Sequence, residues 1–431
     1  MWVKLRHTLG PLFLILLCPP FVMLMWYTNT ALDGSLWTLW NLMLQQGIFQ
    51  TIYSIWQPYF WGSATAWAAI LSFAVFELAL MRVLPGKTVY GPVTPKGNTP
   101  VYKANGISSF LTTMGIFCFA TFGLELFSAT ILYDNLGYIL GALNISSLLV
   151  CVLLYLKGRY SPSTADAGTT NNFLFDYYWG TELYPQVLGW SIKKFITCRF
   201  GMMSWGLFLL SYCAKQAELG GLANSMLISV MLQLVYIAKF FIWENGYLRS
   251  LDIMHDRAGF YICWGCMVWV PCIYTSPSMY LVLHPVHLSV LWATVFSIVG
   301  IACIVVNYLA DKQRQLTRAT EGNCSVWGKK PITLLAHYKT AEGQARQSLL
   351  LASGWWGVAR HFHYVPEIAA AFFWSVPALF DNFSPYFYVS FLSILLVERA
   401  FRDDRRCAKK YGKDWDKYCE LVPYKIVPLV I

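Results

Sequence analysis

Charge is scarce in this sequence, since Asp, Glu, Lys and Arg make up only 13% of its 431 residues. A soluble globular chain usually carries about a quarter charged residues, so this one has too few to cover a body of its size in water. The chain also lacks an H-E-x-x-H pair for zinc and a G-x-G-x-x-G loop for a Rossmann-type nucleotide site. Cys263 and Cys266 form a C-x-x-C without a second ligand pair nearby, which makes a metal or redox role the less favoured interpretation. We therefore expect no metal, and any dinucleotide must be held in another way.

Long apolar runs fill the chain instead. Hydrophobic residues make up 57% of it and aromatic residues 17%, and an excess of Trp and Tyr is typical of membrane interfaces. The first run follows Lys4 and Arg6 without a small-residue cleavage site after it, which predicts a retained span and not a removed signal peptide. Because a membrane helix needs about 20 predominantly apolar residues, the sequence predicts an all-α polytopic membrane helix bundle of about ten transmembrane helices. The candidate spans are 9–28, 58–81, 107–132, 136–156, 202–219, 224–243, 259–283, 288–309, 365–380 and 385–399.

The formal net charge is +10, but the basic residues gather in loops between the apolar runs. That distribution is typical of the positive-inside rule, so we expect the lipid bilayer and no nucleic acid as a partner. Residues 1–309 are mostly apolar, whereas 310–431 alternate polar surface with a short apolar hairpin. We predict an N-terminal region of membrane helices over 1–309 and a C-terminal ligand-binding region over 310–431. The two characters suggest a ligand with an apolar part and a charged part.

Polar groups at membrane depth are functional candidates, because a charge there is costly unless it faces an interior cavity. Tyr236 and Lys239 lie at i, i+3 and share a helix face, and Glu244 follows just beyond. The tyrosine or the carboxylic acid could donate a proton to carbon. Alternatively, Lys239 and Glu244 snorkel to the interface. The two interpretations carry about equal weight from the residues alone.

The run from Ser353 to Glu367 combines glycines, which allow close backbone approach, with flat aromatic rings and hydrogen-bond donors for phosphate. Such a run could hold a dinucleotide without a Rossmann loop. Its rings belong to Trp355, Trp356 and Tyr364, and its donors to Arg360, His361 and His363.

Two further basic segments suit phosphate. Arg314 and Arg318 lie at i, i+4, and two guanidiniums on one helix face fit a phosphate monoester, which would favour NADPH over NADH. The alternative is a solvated charge run beside the membrane. The tail after the last apolar segment is basic and aromatic, and could close over a diphosphate or bind anionic lipid heads. Its candidate residues are Arg399, Asp403, Lys410, Tyr411 and Tyr418.

Several blocks closely resemble the sterol reductase family of membrane proteins. They are D-I-M-H-D-R-A-G-F-Y-I-C-W-G-C (252–266), S-G-W-W-G-V-A-R-H-F (353–362), S-P-Y-F-Y (384–388) and R-x-x-R-D-D-R-R-C (399–407). The likeness covers nearly the whole chain. Within the family it is strongest for the plant form of the branch that reduces the C7–C8 double bond of Δ5,7 sterols.

The resemblance implies about ten membrane helices, a sterol substrate and an NADPH site in the C-terminal half. It implies that the alkene is protonated by a protein acid before hydride is added, with Tyr236 or Glu244 near the sterol as the acid. The cofactor contacts that it implies are Arg314, Arg318, Leu351, Trp356, His363, Tyr364, Asp403, Cys407, Ala408, Lys409, Lys410, Tyr411 and Tyr418, to which the residue patterns add Arg360 and Arg399.

Other functions remain open at this point. A Δ14- or Δ24-sterol reductase would share the cofactor site. An isoprenylcysteine-type methyltransferase has a similar C-terminal pattern, but would leave Arg314 and Arg318 without a phosphate. A non-catalytic sterol-binding protein, like the lamin B receptor, is a third class. The resemblance implies an endoplasmic reticulum membrane, or the inner membrane in a bacterium, and makes other sterol-pathway enzymes candidate partners.

Overall fold

A computed structural model of the chain describes residues 2–94, 96–339, 343 and 345–430. Helices dominate this part of the chain, as the apolar runs predict. The longer ones are Trp2–Ala31, Leu36–Gln46, Ile48–Trp56, Ala64–Val83, Gly106–Cys118, Leu136–Tyr160, Phe173–Trp179, Met202–Gly220, Asn224–Ile242, Ser276–Leu283, Val290–Ala319, Tyr364–Ser375, Phe387–Tyr411 and Lys413–Leu421.

Short helical segments connect several of these. Three have π-helical geometry, Phe119–Gly123, Phe195–Gly201 and Gly265–Tyr274, and three are 3₁₀ turns, Gln57–Tyr59, Val376–Ala378 and Ser384–Tyr386. The remaining ones are Ile131–Asp134, Ile192–Lys194, Glu244–Tyr247, Leu251–Met254, Phe260–Trp264 and Trp355–Val358.

Seven helical stretches among the described residues are long and apolar enough to cross a bilayer, and the expected polytopic membrane helix bundle is confirmed. They are His7–Ala31, Ala64–Val83, Gly106–Gly123, Leu136–Tyr160, Asn224–Ile242, Phe260–Leu283 and Val290–Ala319. The other three predicted spans fall on the helices Met202–Gly220, Tyr364–Ser375 and Phe387–Tyr411.

Several expected boundaries shift, since the span predicted over 107–132 ends at Gly123 and the one predicted over 288–309 continues to Ala319. The span predicted over 58–81 begins at Ala64, because the Ser63 side chain accepts a hydrogen bond from the Ala66 N–H and caps the helix there. The helices Leu36–Gln46 and Ile48–Trp56 are not among the predicted spans, because they are too short to cross a bilayer.

The chain divides into two compact units. One runs to Ser289 and also includes Val376–Phe387. Its interior is formed by the helix Leu136–Tyr160 and the stretch Phe260–Leu283, where the Trp264 indole donates a hydrogen bond of 2.9 Å to Asn144 Oδ1. Two antiparallel hairpins belong to this unit: Lys87–Tyr90 pairs with Val101–Ala104, and Gln186–Val187 pairs with Trp190–Ser191.

The second unit comprises Val290–Ser375 and the chain from Tyr388 onward. The helix Val290–Ala319 is continuous across residue 310, where charge alone divided the sequence. Strands Thr333–Lys339 and Ala345–Leu351 form an antiparallel hairpin in which Thr333 lies opposite Leu351. That hairpin packs on the C-terminal helices through a buried apolar cluster of Ala336, Leu350, Ala352, Cys407, Trp415, Tyr418 and Val422.

Candidate active site

The predicted guanidinium pair lies at the end of the helix Val290–Ala319. The Arg314 guanidinium carbon stands 4.1 Å from the centroid of the Trp356 ring, and Arg314 also pairs with Asp311 at 3.2 Å. The Trp356 indole donates to the Ala310 carbonyl at 2.7 Å. The helix end and the turn that contains Trp356 are therefore joined by a cation–π contact and a buried hydrogen bond.

A glycine makes that close approach sterically feasible. Gly354 has a φ of +62°, and a Cβ placed on it would lie 2.3 Å from the Gln313 side chain. Gln313 accepts a hydrogen bond of 2.9 Å from the Trp355 N–H. Only glycine adopts this backbone conformation readily and leaves room for the amide, so the turn depends on it.

From Trp356 a row of rings extends through this turn. The Trp356 and His363 ring centroids are 4.9 Å apart, those of His363 and Tyr364 are 4.3 Å apart, and Tyr364 stacks on His361 at 5.3 Å. His361 Nε2 in turn lies 3.9 Å from an Asp403 carboxylate oxygen. Arg314, Trp356, His363, Tyr364 and Asp403, which the sequence predicts as one cofactor site, therefore form one continuous cluster.

Burial lowers the pKa of His361 to about 4. The Asp403 carboxylate opposes this change, and the Arg314 and Arg360 cations reinforce it. Because the pKa of the imidazole lies well below 7, the last ring of this row is neutral at physiological pH.

Arg318, near the end of the same helix, and Leu351 are placed by contacts of the β hairpin. The Arg318 Nε donates to the Leu349 carbonyl at 3.2 Å, which fixes the guanidinium beside the end of the β hairpin. Two residues further on, the Leu351 carbonyl accepts a hydrogen bond of 2.8 Å from the buried Tyr418 hydroxyl. Burial raises the pKa of Tyr418 to about 12, so this phenol stays protonated and donates.

Arg360, predicted among the cofactor contacts, is buried. Its guanidinium donates to the carbonyls of Val422 and Pro423 at 2.7 and 3.1 Å and lies 3.4 Å from Asp404. These contacts hold the C-terminal segment, and the Arg360 Nε has no hydrogen-bond partner among the described residues.

The helix Phe387–Tyr411 carries the rest of the predicted cofactor set. Lys410 Nζ lies 3.9 Å from the centroid of the Tyr338 ring, and Tyr411 packs edge-on against the same ring. Cys407 is buried, and burial raises its pKa to about 12. Ala408 and Lys409 are exposed. Arg399 lies on the same helix, two turns before Cys407.

The first unit contains the two predicted proton donors, each among its own partners. Tyr236, on the helix Asn224–Ile242, is half-buried, and its ring centroid lies 5.8 Å from that of Trp205. The Lys239 ammonium sits 5.1 Å from the centroid of the Tyr236 ring. The Trp205 indole, which packs against the Tyr236 ring, donates a hydrogen bond to the Gln233 side chain at 2.8 Å.

Glu244 is buried among cations. One carboxylate oxygen accepts from Arg199 at 2.7 Å and lies 3.3 Å from the Lys194 ammonium, and the other accepts from the Gly106 N–H at 2.7 Å. Arg199 donates in addition to Asn105 at 2.9 Å. These contacts hold the Glu244 carboxylate between the two cations and the start of the helix Gly106–Cys118.

Arg199 and Lys194 are not among the residues predicted from the sequence. Both lie on or beside the π-helical segment Phe195–Gly201, a geometry that often occurs at functional sites. A signal was present in the sequence, since these two cations and the acid Glu77 stand next to or within apolar runs. Glu77 is fully buried and accepts a hydrogen bond of 2.5 Å from Thr113.

The model of the ergosterol biosynthesis ERG4/ERG24 family matches residues 13–431. The chain belongs to this family. Among its ERG4/ERG24 relatives, the 7-dehydrocholesterol reductase of Arabidopsis thaliana is 51% identical over 420 residues, which cover 97% of this chain and 96% of the plant protein. A 7-dehydrocholesterol reductase of Xenopus laevis is 36% identical over 382 residues, covering 85% and 81% of the two chains. A Delta(14)-sterol reductase of Methylotuvimicrobium alcaliphilum is 35% identical over 436 residues, covering 99% and 96%.

Membership of the ERG4/ERG24 family confirms the resemblance drawn from the sequence blocks, including its plant-type character. It also confirms that the chain is a sterol reductase family enzyme. A membrane environment and a sterol as the substrate class follow for an ERG4/ERG24 protein with these membrane helices.

Proposed function

We propose that this protein reduces the C7–C8 double bond of a Δ5,7 sterol with NADPH, in the endoplasmic reticulum membrane of a eukaryotic source. The single observation that carries the proposal is the 51% identity along almost the whole chain with a plant protein named 7-dehydrocholesterol reductase. The second candidate is Δ14 reduction, favoured by the Delta(14)-sterol reductase that matches 99% of the chain. Other enzymes of the same pathway are candidate partners.

The chemistry of the donor set in the second unit fits NADPH. Arg314 and Arg318 offer guanidiniums on one helix face for the ribose phosphate, since a guanidinium binds phosphate through paired N–H donors. Trp356, His363 and Tyr364 offer flat faces for planar rings, and the basic helix end from Cys407 to Tyr411 faces the diphosphate in this proposal. When bound, NADPH supplies the hydride.

We assign the proton to Tyr236. Its hydroxyl donates H⁺ to one carbon of the double bond, whose two π electrons form the new C–H bond and leave a carbocation at the other carbon. Hydride then completes the second C–H bond, so one proton and one hydride are added in total. The phenolate regains its proton from solvent, and the nearby Lys239 ammonium stabilises it meanwhile.

Glu244 acts as a positioning residue in this scheme. Ion-paired with Arg199 and Lys194, it orders the segment that begins the helix Gly106–Cys118 by accepting from the Gly106 N–H. Arg360 likewise positions the turn of residues 354–364 by holding the C-terminal segment, and does not contact phosphate directly.

Product analysis tests the assignment. Purified protein is incubated with NADPH and, separately, a Δ5,7, a Δ14 or a Δ24 sterol, and the products are identified by mass spectrometry. We expect loss of the C7–C8 double bond from the first substrate alone. Turnover of only the Δ14 sterol would replace the proposal with its second candidate, and turnover of none would reject both.

A further inference from the structure

A cavity of about 320 Å³ lies in the first unit, between the end of the membrane helix Ala64–Val83 and the two β hairpins. Three of its lining residues are cations, namely Arg82, Lys103 and Lys194, and no described lining residue is acidic. Nothing in the proposed reaction uses this cavity. Its charge indicates an anionic ligand.

The cations stand at the depth where membrane helices leave the apolar layer. Arg82 is in the last turn of the span Ala64–Val83, and Lys103 comes just before the span Gly106–Gly123. Phosphate groups of membrane lipids occupy this level, and basic residues at the ends of spans attract them.

The three cations differ in how far protein groups already engage them. Lys194 donates to the Lys103 carbonyl and lies 3.3 Å from Glu244, so its charge is largely neutralised. Lys103 donates one of its three N–H groups to the Arg82 carbonyl at 2.9 Å. The Arg82 guanidinium lies 5.2 Å from the centroid of the Trp190 ring and is exposed. It makes no hydrogen bond or ion pair with another residue that the structure describes, so its donors are available to a ligand.

Exposed apolar side chains lie at the cavity or next to its lining residues in the chain. Val101 lines the cavity and is 54% exposed. Val83, which follows Arg82, is 75% exposed, and Leu188, which precedes Gly189 at the tip of the hairpin formed by Gln186–Val187 and Trp190–Ser191, is 84% exposed. Leu188 has a φ of +50°, a left-handed conformation that directs an apolar side chain outward at the tip of the turn. A freely soluble phosphate has no apolar part that could contact these side chains, whereas a lipid presents acyl chains directly beside its phosphate.

We propose that this cavity binds the phosphate group of an anionic membrane phospholipid. Arg82 and Lys103 donate to the phosphate oxygens, and Val83 and Leu188 contact the adjoining acyl chains. The site shares Lys194 with the ion-paired cluster of Glu244, but Arg82 and Lys103 have no role in the proposed reaction. The proposal stands whichever double bond the enzyme reduces.

The test uses the full chain in nanodiscs of phosphatidylcholine with a minority of phosphatidic acid, followed by native mass spectrometry of the lipids retained after transfer to detergent. We expect the protein to retain phosphatidic acid in preference to phosphatidylcholine. The variant Arg82→Gln should lower that retention about tenfold, the effect of losing roughly 1.4 kcal/mol of binding free energy. The matched control Lys329→Gln/Lys330→Gln, which removes two exposed lysines of the second unit, should retain the lipid like the parent.

A second variant keeps the test decisive if Arg82→Gln is poorly folded. Leu188→Ser leaves all three cations in place and should weaken retention of phosphatidic acid but not the binding of inorganic phosphate, measured by titration in detergent. Equal retention by the parent and Arg82→Gln, or equal loss in the lysine control, overturns the proposal. Tight binding of inorganic phosphate without preferential retention of phosphatidic acid would assign the cavity to a soluble anion and overturn it as well.

Discussion

The guanidinium carbon of Arg314 lies 4.1 Å from the centroid of the Trp356 ring, although 42 positions separate the two residues. This contact brings a fixed cation from the end of a membrane helix to a turn rich in flat rings. It joins the two sequence signals from which a phosphorylated, ring-bearing cofactor was predicted. The cation is half-buried and keeps donors toward solvent, as a phosphate ligand requires.

Arg314→Ala should therefore weaken the binding of NADPH more than the binding of NADH. A charge-assisted hydrogen bond is worth about 1.5–3 kcal/mol, so we expect KM for NADPH to rise roughly 10- to 100-fold while that for NADH changes little. The KM for NADPH of Arg314→Lys should lie between those of the parent and Arg314→Ala, because lysine keeps the charge but lacks the planar guanidinium that stacks on Trp356. Initial rates with each dinucleotide measure this. Lys330→Ala is the control. If the ratio of KM for NADPH to KM for NADH is the same in Arg314→Ala as in the parent, the assignment of Arg314 to the phosphate is refuted.

Tyr236→Phe should lower turnover without weakening the binding of the cofactor. General acid catalysis typically contributes about 10²–10⁴-fold, so we expect kcat to fall by at least about 10²-fold with the NADPH dissociation constant unchanged. Sterol product formation and fluorescence titration of NADPH provide the two measurements. The exposed Tyr160→Phe serves as the control. Turnover at the parental rate in Tyr236→Phe would remove this hydroxyl from the reaction.

Glu244→Gln should act mainly on stability. Taking away the carboxylate leaves Arg199 buried beside a neutral amide, and breaking a buried ion pair in this way costs about 3–5 kcal/mol. We expect a clear drop in thermal stability in nanodiscs and a smaller fractional loss of kcat, in whatever protein stays folded, than in Tyr236→Phe. If the stability of Glu244→Gln matches the parent while turnover is abolished, Glu244 and not Tyr236 is the acid.

His361 should make the protein lose stability in mild acid. Its pKa is about 4 in the folded protein because of burial, against roughly 6.5 in an unfolded chain. The unfolded chain therefore binds the extra proton first as the pH falls below about 6.5, and folded-state stability decreases down to about pH 4, by on the order of 3 kcal/mol. Thermal unfolding at several pH values should show a shallower acid decline in His361→Asn, and no change of slope in the exposed His287→Gln. A parental slope in His361→Asn would contradict this.

Arg360→Met should loosen the C-terminal segment. The change removes the donors for the Val422 and Pro423 carbonyls, and a buried carbonyl left without a donor costs about 1–3 kcal/mol. Limited proteolysis should cut near residue 422 faster than in the parent, and NADPH affinity should fall as a secondary effect. Arg405→Met, at an exposed position of the helix Phe387–Tyr411, is the comparison. Weak NADPH binding with parental protease resistance would mean that Arg360 contacts the cofactor directly.

Local periodicity in the sequence was enough to predict the membrane helices and part of the candidate site. Apolar runs of about 20 residues read directly as spans, and the spacing of Arg314 and Arg318 places both on one helix face. Local periodicity did not predict the hairpin of Thr333–Lys339 and Ala345–Leu351, because these two strands are partly exposed and mix polar with apolar residues. A polar, half-exposed hairpin leaves no alternating pattern to recognise.

The sequence by itself determined that this chain is embedded in a bilayer, and its motifs assigned it to a family of sterol reductases. Composition and short sequence blocks can be recognised without knowing which residues are in contact. Only the tertiary structure decided which partners the buried ionisable groups have. Glu244 forms an ion pair with Arg199, which lies 45 positions away, and Arg360 donates to carbonyls more than 60 positions away. Such roles depend on which charges burial brings together, and no local pattern in a sequence encodes that.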